Sequence, residues 1–263
     1  MSTASTTGQS ALLVRQTGAA RRLRLNRPER RNALNPTLVQ ALDAGLTDAI
    51  ADPGTAVVVL DGAGPSFCSG ADLSYLAYLA DRDRSPLPFL ATVAEFCIRL
   101  AECSKPVVAA VHGHVVAGGL ELILACDLVV AAEGTLIGDG HVRNGQLPAG
   151  GASLRLPAKL GDPLARRLML TGELLPANDF LASGFVTAVL PPEEIEDWLA
   201  ALVNRLAATA PGSSARIKRL LGPRPDASPE TVLATERAIF AEHWQQTDVA
   251  GALHAFVRHG TKG

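Results

Sequence analysis

The chain lacks the features that mark several large classes of protein. Of its 263 residues, 24 are basic and 26 acidic, a net charge of −2. That balance leaves no cationic excess for a nucleic-acid backbone or an anionic membrane surface. No uninterrupted apolar run reaches the roughly 18–20 residues that span a bilayer. The opening MSTASTTGQS holds no basic stretch followed by an apolar one. Residues 1–10 therefore read as a frayed tail and not as a secretory signal. The four cysteines, Cys68, Cys97, Cys103 and Cys126, form no C-x-x-C pair and no zinc spacing. Free, buried thiols in a reducing cytoplasm are the expectation. There is no G-x-x-x-x-G-K-[ST], no correctly spaced G-x-G-x-x-G, no low-complexity segment and no fixed-period repeat. His112 and His114 share a face if that segment is a strand, but no third ligand stands at sensible spacing, so no metal is expected.

What is present is a folding pattern. Hydrophobic residues make up 48% and charged residues 19% of the chain, which has ample length for a core. Arg22 to Leu25 alternates charged and apolar residues like a strand. NPTLVQALDAGLTDAIAD sets Leu38, Ala41, Leu42, Gly45, Leu46 and Ala49 at helical spacing, with Asn35 as N-cap and Pro36 at the first helical position. AVVVLDG is a short apolar run of the buried-parallel-strand kind. The unit recurs as KPVVAAVHG, the helix AGGLELILACD and the run LVVAAE. Alternating strand and helix predicts an α/β fold with a mainly parallel sheet. Beyond Pro148 helical patterns dominate, among them PLARRLMLTG, PANDFLASG and PEEIEDWLAALVNRLAATA, with one short strand in FVTAVL. The core is expected over residues 11–190 and a helical C-terminal region over 191–263, divided near Pro191 and Pro192.

Two segments set glycine where a strand gives way to a helix: FCSGADL (67–73) and VVAGGLELI (115–123). Glycine permits strained backbone angles and close approach. A helix N-terminus presents unpaired N–H groups. Two such turns side by side aim two donors at one oxygen, an oxyanion hole. Close packing of helix on strand uses the same glycines. Glu121 stands in an otherwise apolar helix, where burial of a carboxylate is costly without a purpose or a partner.

Those segments, with RPERRNALN, GQLPAGGASLRLPAKLG, ARRLMLTGELLPANDFLASGFVTAVLP and TDVAGALHAF, resemble the crotonase, or enoyl-CoA hydratase/isomerase, superfamily, in order, from Leu12 to Phe256. The resemblance implies a ββα spiral, a helical C-terminal region that forms trimers or dimers of trimers, and an acyl-CoA thioester ligand, with no cofactor beyond that coenzyme A. It implies that Ala71 and Gly118 supply the oxyanion-hole amides. Arg27, Arg31 and Ala33 would lie along the pantetheine and phosphates, and Ser69, Ala71 and Asp72 near the adenine end. Tyr75, Leu76, Tyr78 and Leu79 follow the first turn and are expected to line the acyl pocket, with ordinary core as the alternative. The charged loop DRDRSPLP (81–88) is expected to cap it. The family's GGG-x-E stands here as Ala117-Gly118-Gly119-Leu120-Glu121, a mild change at the first glycine.

One departure bears on the reaction. Relatives of hydratase type carry a second glutamate twenty residues beyond the first, and Gly145, Pro148 and Gly151 hold that register here, yet position 141 is His. Hydration needs a base for water and an acid for Cα. A carboxylate and an imidazole can divide that work. Isomerisation of a 3-enoyl thioester needs a single base. Glu121 and His141 are thus the candidate acid/base pair, and Asp139 is read as a turn residue of GDG before a ring-orienting one. Thioester hydrolysis, decarboxylation and non-catalytic acyl-CoA binding keep the same oxyanion turns and stay open.

Overall fold

The charged-apolar alternation before Asn26 does form a strand, and it starts two residues before Arg22. A computed structural model of the chain describes residues 10–210, 212–222 and 227–260. All but the last residue of the expected tail lies outside them. The strands are β1 (Leu12–Thr17), β2 (Ala20–Leu25), β3 (Val57–Gly62), β4 (Val107–Val111), β5 (His114–Val116), β6 (Leu128–Ala132), β7 (Leu136–Gly138), β8 (Leu175–Pro176) and β9 (Ala188–Leu190). A six-stranded sheet runs β1-β2-β3-β4-β6-β9, antiparallel only at β1–β2. A three-stranded sheet runs β5-β7-β8.

The helices are α1 (Pro36–Ala51), α2 (Leu73–Ala80), α3 (Leu87–Ala101), α4 (Gly118–Leu124), α5 (Ala152–Leu160), α6 (Asp162–Thr171), α7 (Ile195–Ala207), α8 (Ser213–Leu221), α9 (Pro229–Gln246) and α10 (Val249–Gly260). α1 begins as its sequence predicts. The Asn35 side chain accepts the Leu38 N–H at 2.9 Å, and Pro36 occupies the first turn. Its buried stripe takes Val39 along with Leu38, Leu42, Gly45, Leu46 and Ala49, while Ala41 is only partly buried.

Strand pleating divides the central strands between two cores. Val58 and Leu60 of β3, Val107, Ala109 and Val111 of β4, and Val129 and Ala131 of β6 enter the larger core with α1, α3 and α4. Their neighbours Val57, Val59, Val108, Ala110 and Val130 enter a second core on the opposite face. There α7 supplies Leu199, Leu202 and Val203, each worth about 1.5–3 kcal/mol on burial. So α7 follows the Pro191–Pro192 boundary in sequence yet closes the sheet of the core.

The chain winds as a spiral. β4, β5 and α4 make one turn, and β6, β7 and α5 the next, each giving one strand to the large sheet and one to the small. β3, a bridge from Cys68 to Val115, and α2 make the turn before them. The expected ββα spiral is present. Two readings of the last third differ. β8 lies inside a stretch with no strand pattern, and PANDFLASG forms only a short 3₁₀ turn at Ala177–Phe180. All four cysteines are buried and unpaired, and burial pushes the Cys68 and Cys97 thiols up to about 12.

Candidate active site

Parallel register brings three turns of the spiral to one place. Cys68 pairs with Val115, and Val115 pairs with Ile137. Three residues beyond each pairing come Ala71, Gly118 and Gly140, followed at once by His141. The backbones of the first two turns touch. A Cβ on Gly70, whose φ is +96°, would stand 2.8 Å from Ala117 Cβ and 3.2 Å from Gly118 N. One on Gly118 would lie 3.6 Å from Ala71 N. Leu34 brackets the first turn: its N–H donates to Gly70 O at 2.7 Å, and its carbonyl accepts from Asp72 N at 2.8 Å. Ala71 N and Gly118 N donate to no other group among the described residues. Both line one cavity of about 70 Å³. Two free amides at adjoining turns can receive one oxyanion.

Glu121 lies on the same cavity, on the first turn of α4, and is 3% exposed. Its Oε1 accepts N–H groups from Gly150 at 2.7 Å and Ala152 at 3.2 Å, where α5 begins. Its Oε2 has no protein partner among the described residues. Gly150 must be glycine for this approach, since a Cβ there would lie 2.5 Å from Oε2. Burial raises the Glu121 carboxyl above its ordinary range, against the opposing pull of nearby His141 and of the two amides. His141 also lines the cavity. Its Nδ1 lies 3.1 Å from Asp139 Oδ2, and its backbone N–H donates to Asp139 Oδ1 at 3.3 Å. Asp139 is 1% exposed. It therefore holds the ring as well as turning the chain, more than the turn role favoured by the sequence.

Other predicted residues fall differently. Arg27 donates from Nη2 to Asp72 Oδ2 at 2.9 Å and from Nη1 to Ala33 O. Asp72 also caps α2, accepting from Ser74 N and Tyr75 N. Arg27 and Asp72 are thus bonded to each other and pin the 27–34 strap over the first turn. Ala33 is buried, Arg31 is exposed, and Ser69 lines the cavity with Ala71. Of the four residues expected in the acyl pocket, only Leu76 lines this cavity. Leu73 and Leu76, one turn apart, face the cavity. Tyr75 sits edge-on to Phe89, Tyr78 is exposed with Arg82 over its ring, and Leu79 is buried elsewhere. The helical period sets this partition. The 81–88 loop does not line the cavity; the α3 residues Leu90 and Val93 behind it do. Leu34, Val116, Asn144, Gln146, Leu147 and Ala149 also line it. Leu34 and Val116 come from separate elements and no local pattern marks them, whereas the other four follow His141 in one stretch that overlaps the GQLPAGG motif. His112 gives a ring nitrogen to the Gly64 carbonyl at 2.8 Å.

Ala117 corrects one expectation. It precedes the donor amide of Gly118 with φ +52° and ψ −116°, a backbone that L side chains rarely adopt. Alanine for the family's glycine is therefore not a mild change.

A sequence profile for "Enoyl-CoA hydratase/isomerase" matches residues 16–262. The chain is 31% identical over 252 residues to the 2,3-dehydroadipyl-CoA hydratase of Escherichia coli K12, covering 96% of this chain and 97% of that protein. It is 29% identical over 234 residues to the short-chain-enoyl-CoA hydratase of Clostridium acetobutylicum, covering 89% of each. A crystal structure of an enoyl-CoA hydratase from Bacillus anthracis superposes with a TM-score of 0.88 at 27% identity, covering 95% of this chain and 96% of that one. With its spiral, its adjoining glycine-bearing turns and these matches along almost its whole length, the chain belongs to the enoyl-CoA hydratase/isomerase family of the crotonase superfamily.

Proposed function

We propose that the protein adds water across the Cα=Cβ bond of a 2-enoyl-CoA thioester. The observation that carries this reading is the convergence of two acid/base side chains, Glu121 and His141, on the cavity that holds the free amides of Ala71 and Gly118. The thioester oxygen sits on the two amides, which stabilise the enolate formed as water attacks Cβ. Glu121 and His141 hold the water between them. One takes its proton and the other delivers a proton to Cα. Isomerisation uses only one such group, so a site with two favours hydration.

Coenzyme A enters as part of the substrate, along the strap, with Arg31 and Ser69 as the side chains left free to meet it. No further cofactor takes part. The protein works in the cytoplasm, a reading supported by four buried, unpaired thiols. It assembles as a homotrimer or a dimer of trimers, a reading supported by the exposed apolar side chains Ile217, Leu221, Leu233, Phe240 and Trp244 on α8 and α9. Sedimentation tests the assembly.

The reaction is tested with a panel of 2-enoyl-CoA and 3-enoyl-CoA thioesters. Hydration removes the conjugated-thioester absorbance of the former. Glu121→Gln should lower kcat by about 10²–10⁴-fold, the range for a positioned acid or base. Absorbance gained from 3-enoyl-CoA, or free thiol or CO₂ released without hydration, would replace this reading.

A further inference from the structure

The two oxygens of Asp139 are both engaged by His141. Oδ1 accepts the backbone N–H of His141 at 3.3 Å, and Oδ2 faces ring Nδ1 at 3.1 Å. The carboxylate is 1% exposed, and no Arg or Lys pairs with it among the described residues. Burying a carboxylate is costly unless its lone pairs are met. Here the residue that meets them is the one whose ring lines the cavity. The local chain is shaped for this contact. Asp139 follows directly on the last residue of β7, and Gly140 then takes φ +64°, folding the ring back over the carboxylate. A Cβ at Gly140 would stand 2.5 Å from Val116 Cγ1, so the turn admits no larger residue there without a shift.

The chemistry of the pair fixes a proton. An ionised carboxylate only accepts, so Nδ1 is the ring nitrogen that carries hydrogen, and Nε2 of the neutral ring keeps a lone pair. We propose that Asp139 is a positioning residue that selects this tautomer and ring orientation, making His141 Nε2 the base and Glu121 the acid of the reaction. The proposal rests on the reading of His141 as half of the acid/base pair. In the step, a water O–H bond breaks and its proton goes to Nε2. The freed electron pair forms the C–O bond at Cβ. The π electrons move to the thioester oxygen as an enolate on the Ala71 and Gly118 amides. The enolate collapses and Cα takes the Glu121 proton. The imidazolium then returns its proton to the Glu121 carboxylate, so one water is added and the protein is unchanged.

Two experiments on the full-length protein test this assignment. In ¹⁵N-histidine NMR of the wild type at neutral pH, the signals lost in His141→Gln should belong to a ring protonated at Nδ1; an Nε2-protonated ring overturns the proposal, and this reading needs no Asp139 variant to fold. In kinetics, Asp139→Asn can turn its amide NH₂ toward Nδ1 and favour the wrong tautomer, so kcat should fall about 10²–10⁴-fold. KM should stay within about threefold, and Asp139→Glu should recover at least about tenfold of the lost kcat. A loss confined to KM, or kcat for Asp139→Asn within twofold of wild type while His141→Gln is impaired, overturns the role of Asp139 alone. Wild-type kcat in His141→Gln overturns the reading of His141 beneath it.

Discussion

The first and second glycine-bearing turns use one backbone device with opposite fates for their carboxylates. Each has a residue of positive φ, then a donor amide, then an acid: Gly70, Ala71 and Asp72 in one, Ala117, Gly118 and Glu121 in the other. In the first, Asp72 is bonded to Arg27 and to the N-terminus of α2. In the second, Glu121 lines the cavity, its Oε1 accepts only neutral amides, and its Oε2 has no protein hydrogen bond among the described residues. The paired acid holds the frame. The acid that forms no ion pair is the one the proposed reaction uses for proton transfer. The turns also differ before the donor, where the first has glycine and the second carries a methyl group on a backbone suited to glycine.

The largest way to break the symmetry is at Gly70. Gly70→Ala adds a Cβ 2.8 Å from Ala117 Cβ at φ +96°. Overpacking and backbone strain together should destabilise the protein by about 3 kcal/mol, and the displaced amides should lower kcat. Thermal melting and steady-state rates read both; wild-type values for each would show that the turns are not in contact. Next is Asp72→Asn. It leaves Arg27 without its charge partner in a mostly buried site and should cost about 1–3 kcal/mol in denaturant titration. A variant as stable as wild type would mean that the strap is held by its backbone bonds alone.

Ala117→Gly makes the second turn match the first. Relief of a strained non-glycine backbone is worth about 1–3 kcal/mol, offset by about 0.5–1 kcal/mol for the greater freedom of glycine in the unfolded chain. A net gain of about 1 kcal/mol should raise the melting temperature by about 2–4 °C. A lowered melting temperature would mean that the methyl group packs well enough to outweigh the strain.

Much of this was legible in the residues. Asn35-Pro36 opens α1, the apolar runs become β3, β4 and β6, and Glu121 stands in a buried helix beside a glycine turn. Each of those signals is local. The strain at Ala117 is not local, because it follows from pairing across turns. Val116 N bonds to Cys68 O, and Ala117 N bonds to Gly138 O, from segments far apart in sequence. The Arg27–Asp72 pair spans 45 residues, and either charge alone reads as available for ligand. The cavity wall on α2 was only partly visible, for a different reason. Tyr75, Leu76, Tyr78 and Leu79 are close in sequence and apolar enough to suggest a lining, but a helix shows the cavity one face, and Leu73 with Leu76 occupies it. Nothing in GDG marks Asp139 as more than a turn former until the ring of His141 is seen folded over it.

The smallest effect separates the two acids most cleanly. Burial raises the Glu121 carboxyl, so the folded protein holds that proton to higher pH than the unfolded chain does. Below the unfolded carboxylate pKa of about 4.3 both states are protonated and burial carries no ionic penalty. As pH climbs through that value the unfolded state ionises first, and stability is lost until the folded carboxyl ionises too. Glu121→Gln removes the ionisation while its Oε1 can still accept from Gly150 and Ala152. Its melting temperature should therefore exceed that of wild type near pH 8, and the difference should shrink toward zero near pH 4. Asp72→Asn should do the reverse at neutral pH and lower the melting temperature, since there a favourable charge pair is lost. Melting curves of both variants across pH 4–8 decide the matter. If Glu121→Gln is destabilised at every pH, the amides of Gly150 and Ala152 hold the carboxylate well enough to offset its burial, and the contrast between the two turns then lies in their backbones and not in their acids.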